Sequence, residues 1–195
     1  MTYRHCMLDL ETLGTRPGCV IRSIGAVFFD FDGKPLGPEY YANIDHYSAI
    51  ALGLRVDPLV VAWWGEQSAD ARAALEINPH PIKAVLDGFS RFLIENGETD
   101  MLCLWSHGAG FDIPVAEAAM VLTGSIMPWK YSNCRDTRTL IWTGEQAGIV
   151  VPLERVGTQH HALDDAKTRA LQMIEIHKRM APWLVRSTSA TAASA

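Results

Sequence analysis

The chain has 195 residues, 48% of them hydrophobic and 20% charged, with a formal net charge of −5 and no apolar run approaching the ~20 residues of a membrane span. That composition predicts one ordinary soluble domain and argues against a protein held on nucleic acid by a broad basic face. The N-terminal "MTYRHCMLDL" lacks a signal-peptide pattern, and four cysteines without a CxxC pair read as reduced thiols, so a cytoplasmic location is expected.

In chain order, "YRHCMLDLE" reads as a first strand and Val20 to Asp30 as a second, rich in β-branched and aromatic residues. The turn cluster "DFDGKPLG" predicts that "EYYANID" folds back as a hairpin partner. "DPLVVAWWGEQSADARAAL" predicts one helical stretch capped by Asp57, with Pro58 in its first turn. Apolar residues at Ile82, Val85, Leu86, Phe89 and Leu93 predict a helix ending near Gly97. "MLCLWSHG" is a short buried strand, followed by a helix from Asp112 to about Leu122. "RDTRTLIWTGEQAG" and "HHALDDAKTRALQMIEIHKRM" look helical, and Arg186 to Ala195 reads as a small polar tail after a domain of residues 1–185. The order predicts an α/β fold, a mixed β-sheet flanked by α-helices with the first strand central.

Asp9 and Glu11 are two apart on the first strand and project to one face, where they repel unless a proton or a cation separates them. Paired carboxylates suit magnesium or manganese, although either residue is equally able to cap a loop. Asp112 opens a helix just past a buried strand, a position suited to a ligand and equally to a plain helix cap. His160, His161, Asp164 and Asp165 gather at the start of the last helix, and a histidine beside acids is what general-base catalysis needs.

"LDLETLGT", "GAGFD" and "HHALDDA" resemble the three motifs of the DEDDh branch of 3′–5′ exonucleases, most like its bacterial and phage exoribonuclease members. The resemblance implies a ribonuclease H-like fold, Asp9, Glu11, Asp112 and Asp165 as ligands of two divalent cations, Mg2+ or Mn2+, and His160 as the base. Helix spacing favours His161 instead, which is four residues from Asp165; the motif favours His160, in the loop before the helix. The substrates implied are RNA or DNA 3′ ends, with nucleoside monophosphates as product. Two divalent ions would offset most of the −5 charge.

Thr12, Leu13 and Gly14 are expected against the terminal nucleotide, with Leu13 wedged on the base and Gly14 admitting close backbone approach. Trp64 or Trp63 offers stacking, and Arg135 and Arg138 offer phosphate or sugar contact. The second motif departs from the family at His107 and Gly108, where a polar residue such as Asn is common. Such exonucleases are often dimers, and the aromatic stretch at Trp63 offers a surface for a homodimer. A non-catalytic nucleic-acid-binding module and an endonuclease on the same fold are the competing readings.

Overall fold

The computed structural model describes residues 2–98, 100–108 and 110–191, with side chains to residue 182. Five strands form one sheet in the order β3-β2-β1-β4-β5, so β1 (His5–Thr12) is central as expected. It pairs antiparallel with β2 (Ile21–Phe29), which pairs antiparallel with β3 (Glu39–Asn43). On its other side β1 runs parallel to β4 (Cys103–Ser106), which runs parallel to β5 (Cys134–Asp136). The chain therefore has the mixed α/β sheet that the sequence predicts, with the first strand at its centre.

Strand alternation divides the core into two layers. Cys6, Leu8 and Leu10 point to the face covered by α4 (Ile82–Asn96) and α5 (Asp112–Thr123), where they meet Ile24, Phe28, Phe89 and Leu104. Met7 points to the opposite face, with Val27, Phe29 and Trp105, under Ala166, Ala170 and Met173 of the last helix. That helix, α7, spans Ala162–Thr191. α6 (Thr137–Gln146) shares its layer through Leu140 and Ile141.

Several elements depart from expectation. The stretch after Asp57 is two helices, α2 (Pro58–Gly65) and α3 (Ala69–Ala74), because Ser68 caps a new start by accepting the Ala71 N–H. A short α1 (His46–Ala51), unmarked by periodicity, precedes them, capped by Asp45. Arg135 and Asp136 belong to β5 rather than to a helix. The backbone of 186–191, expected as a loose tail, continues α7, and 192–195 lie outside the described residues.

Candidate active site

β1 carries Asp9 and Glu11 on the face that α7 covers, opposite Gly25 and Ser23 of β2. Gly25 sets the depth of that cover: a Cβ there would stand 2.1 Å from the backbone of Ala162 and Leu163. Only glycine lets the first turn of α7 descend onto the sheet, and this brings Asp165 down to Glu11.

Asp112 arrives from the other layer. β1 and β4 stay paired only through Met7 and Trp105, so beyond that point the β1 backbone lacks a strand partner on this side. Asp112 supplies one, its Oδ1 accepting the Leu10 N–H at 3.3 Å. Asp112 is 3% exposed and Glu11 7%, while Asp9 keeps partial exposure.

His160 precedes α7 in a left-handed conformation, φ 62°. Its backbone N–H donates to Oδ2 of Asp165 at 2.9 Å. Its ring packs edge-on to Trp63 at 5.0 Å between centroids. One ligand atom each from Glu11, His160 and Asp165 lie within 4.8 Å of one another. His161 turns the other way, stacking on Tyr41 at 4.2 Å with Nδ1 3.4 Å from Asp164. Asp164 accepts the Thr158 N–H at 2.8 Å, so it ties the preceding loop rather than facing the acids.

Burial pushes the Glu11 carboxyl up to about 8, helped by the charges of Asp165 and Asp112. Burial also raises Asp112 to about 7, against the lowering effect of the Leu10 N–H. Asp9 is driven well above the ordinary range, first by burial and then by Asp112, Glu11 and Asp165. For His160, burial lowers the pKa and Asp165 opposes it. Three cations of the chain stand near: Arg155 Nη1 bonds Asp165 Oδ1 at 2.5 Å, the charge of Arg169 bears on Asp165 and Asp9, and that of Arg138 bears on Asp112. Beside them the four carboxylates still make a concentrated acidic centre of hard oxygens, a donor set that fits divalent cations of the magnesium type.

The structure divides the other expected site residues. Thr12 borders a groove of about 520 Å³, lined also by Glu11, Leu59, Trp63, Trp64 and Phe111. Leu13, expected to wedge on a base, is buried in the core at 8% exposure. Strict alternation would put it on Glu11's face, but a bulge between Glu11 and Thr12 resets the register. Gly14 also lines the groove, yet its close approach is to Cys19, whose Cβ would be 2.5 Å from an added Cβ. Trp64 is 6% exposed and donates Nε1–H to the Thr12 carbonyl at 2.9 Å, so it is an anchor; Trp63, 42% exposed, presents the open ring.

Arg138 sits beside the acidic centre, its Cζ 3.8 Å from where a Cβ on Gly108 would stand. Arg135 does not join them: its Nη1 donates to the carbonyls of Ser132 and Cys134, and its charge acts on His5 at the far end of β1. His107, at the departure from the family motif, has Nδ1 2.8 Å from Thr137 Oγ1. Sequence reasoning missed Leu59, Phe111, Arg155 and Arg169. Arg169 carried a signal in its four-residue spacing from Asp165; Arg155, in an irregular loop, carried none.

The family model of the 3′-5′ exoribonuclease Rv2179c-like domain matches residues 4–177. Among solved structures, E. coli exonuclease I in complex with a dT13 oligonucleotide is similar with a TM-score of 0.66 at 16% identity, over 93% of this chain and 42% of that one. The chain thus spans less than half of exonuclease I. The nuclease domain of 3′hExo, a DEDDh family member bound to rAMP, gives 0.56 at 14% identity, over 90% of this chain and 92% of that one. Exonuclease X in complex with 5′ overhanging duplex DNA gives 0.54 at 17% identity, over 90% and 92%. No curated protein sequence matches. These structural likenesses establish a shared fold. No helix among the described residues is long and apolar enough to cross a membrane.

Proposed function

The chain belongs to the Rv2179c-like family of 3′-5′ exoribonuclease domains, and on that premise we propose that Asp9, Glu11, Asp112, Asp165 and His160 form its hydrolytic centre. The family implies divalent metal ions; in this reading the four carboxylates hold two of them, Mg2+ or Mn2+. When bound, the ions supply electrostatic stabilisation to the attacking and leaving oxygens of an in-line phosphodiester displacement.

The chain's own residues perform the rest. His160, whose ring reaches Glu11 and Asp165, takes the proton of the attacking water. Its lowered pKa keeps the ring neutral, and so able to accept, at neutral pH. The groove beside Glu11 receives the 3′-terminal nucleotide, with Trp63 stacking on its base for about 1–3 kcal/mol. Trp64 and the Thr12 carbonyl hold the floor of that groove in place. Hydrolysis then releases a nucleoside 5′-monophosphate from the 3′ end of RNA.

The observation that carries this reading is the convergence of β1, α5 and α7 on one acidic centre beside an apolar groove of nucleotide size. Every group named comes from one chain, so a homodimer through the Trp63 surface would compete with base stacking rather than complete the site. We take residues 1–185 as a single exonuclease domain, and the free cysteines fit a reducing cytoplasm. The test is digestion of matched 3′-overhang RNA and DNA duplexes with manganese. RNA shortened from its 3′ end with 5′-monophosphates released supports the proposal; faster loss of the DNA overhang shifts the substrate to DNA; binding without product would make the chain a non-catalytic module.

A further inference from the structure

The first turn of α6 and the second turn of α7 bring two guanidinium groups to the acidic centre that the proposed chemistry leaves unused. Arg169 lies four residues after Asp165, on the same flank of α7. Ala166, Ala170 and Met173 take the adjacent stripe into the core, so the Asp165–Arg169–Gln172 flank stands beside it. Gln172, 8% exposed, accepts from Arg169 Nη1 at 2.9 Å and donates to the Val151 carbonyl at 3.2 Å. A buried amide thus fixes the direction of the guanidinium.

Among the described residues Arg169 forms no ion pair, although its charge bears on Asp165 and Asp9. Arg138 flanks Gly108, whose φ of 119° and missing side chain leave it room. Its charge bears on Asp112, and both arginines bear on His107 at the end of β4. Asp136, the nearest carboxylate in sequence, caps α6 by accepting the Arg138 N–H at 2.8 Å. The two cations therefore gather by Asp9, Asp112 and His107, whereas the Trp63 groove opens beside Glu11 and Thr12.

A fixed, half-buried guanidinium without an ion-pair partner is suited to an anion, and its planar fork fits a phosphodiester. With the terminal base in the groove and the scissile phosphate over the carboxylates, the strand continues toward the arginines. We propose that Arg169 and Arg138 bind the internucleotide phosphate next to the scissile one, in the strand that is retained. This assignment rests on the exonuclease reading above.

The test compares ApA, which has one phosphodiester, with ApApA, which has two. The wild-type chain is expected to cleave the trimer with a kcat/KM roughly tenfold above the dimer, the size of one charge-assisted contact. R169Q and R138Q should each bring that ratio toward one, with R169K retaining part of it. The slope of log KM against log salt on single-stranded RNA should fall by about 0.7 when that one phosphate is no longer neutralised. Mn2+ binding by R169Q reports that fold and acidic centre persist, and R138Q makes the same test from an exposed position. An unchanged trimer-to-dimer ratio in both variants overturns the assignment, as does an equal loss on dimer and trimer. A wild-type chain that leaves both intact overturns instead the exonuclease reading on which it rests.

Discussion

The backbone N–H of His160 bonds Oδ2 of Asp165 at 2.9 Å, so the proposed base and a proposed cation ligand are fixed within one turn. His161, which helix spacing alone favours, stacks on Tyr41 instead. Replacing His160 with Ala should lower kcat by about 10²–10⁴-fold with Mn2+ binding retained. His161→Ala should cost less than tenfold, and its loss acts through packing. Steady-state kinetics on a labelled RNA distinguishes the two, and the reverse ranking would move the base to His161.

The two neighbouring tryptophans should separate stability from binding. Trp64 is buried and bonds Thr12, so Trp64→Ala should destabilise by about 3–5 kcal/mol in urea unfolding. Trp63→Ala removes a partly exposed ring and should leave stability within about 1 kcal/mol. Its effect is expected in KM, raised roughly tenfold by the lost stacking.

Glu11 makes the metal-free protein sensitive to base. Its ordinary pKa of 4.5 is raised to about 8, so the folded state binds more protons than the unfolded one between those values. The stability this confers is complete below pH 4.5 and is lost as pH rises toward 8. Melting of the chelated protein should fall across that window, and Glu11→Gln should flatten the fall. Added Mn2+ should raise the melting temperature more at pH 8 than at pH 5.

His5 has the opposite sign. It sits among Phe29, Phe31 and Trp105 and accepts the Trp105 Nε1–H at 2.9 Å on Nδ1. Burial, and then Arg135, Arg4 and His177, lower its pKa from 6.5 to about 4, with Glu98 opposing. The folded state thus binds fewer protons, and stability present above pH 6.5 is lost as pH falls toward 4. The contribution is on the order of 2 kcal/mol after discounting its partial exposure. His5→Asn, which keeps an acceptor but does not titrate, should show a shallower acid slope in chemical unfolding.

Gly25 tests the register of α7 on the sheet. Gly25→Ala would drive a methyl into the backbone of Ala162 and Leu163, so α7 must lift and carry Asp165 with it. The variant should lose stability by about 2 kcal/mol or more and lose Mn2+ affinity together, by calorimetry.

The parts of this molecule readable from sequence are those governed by a fixed period. Alternation along β1 put Asp9 and Glu11 on one face, and the apolar pattern placed α4 to within a residue of its Gly97 cap. The unreadable parts are where a local irregularity breaks the period. The bulge after Glu11 turns Leu13 into the core, and the Ser68 cap splits one expected helix into two. That only one of Trp63 and Trp64 is open follows from helix geometry; which one depends on how α2 lies against β1, a tertiary fact. Arg155 reaches Asp165 from a loop without regular structure, so no spacing rule relates the two.

The most direct measurement is a count of bound Mn2+ by electron paramagnetic resonance on the metal-free chain, wild type beside Asp9→Asn, Asp112→Asn and Asp165→Asn. Side chains drawn from β1, α5 and α7 should together take up two ions, and each substitution should weaken or abolish that uptake. Wild-type protein that binds no Mn2+ at millimolar concentration, or variants that bind it as tightly as wild type, would contradict the account.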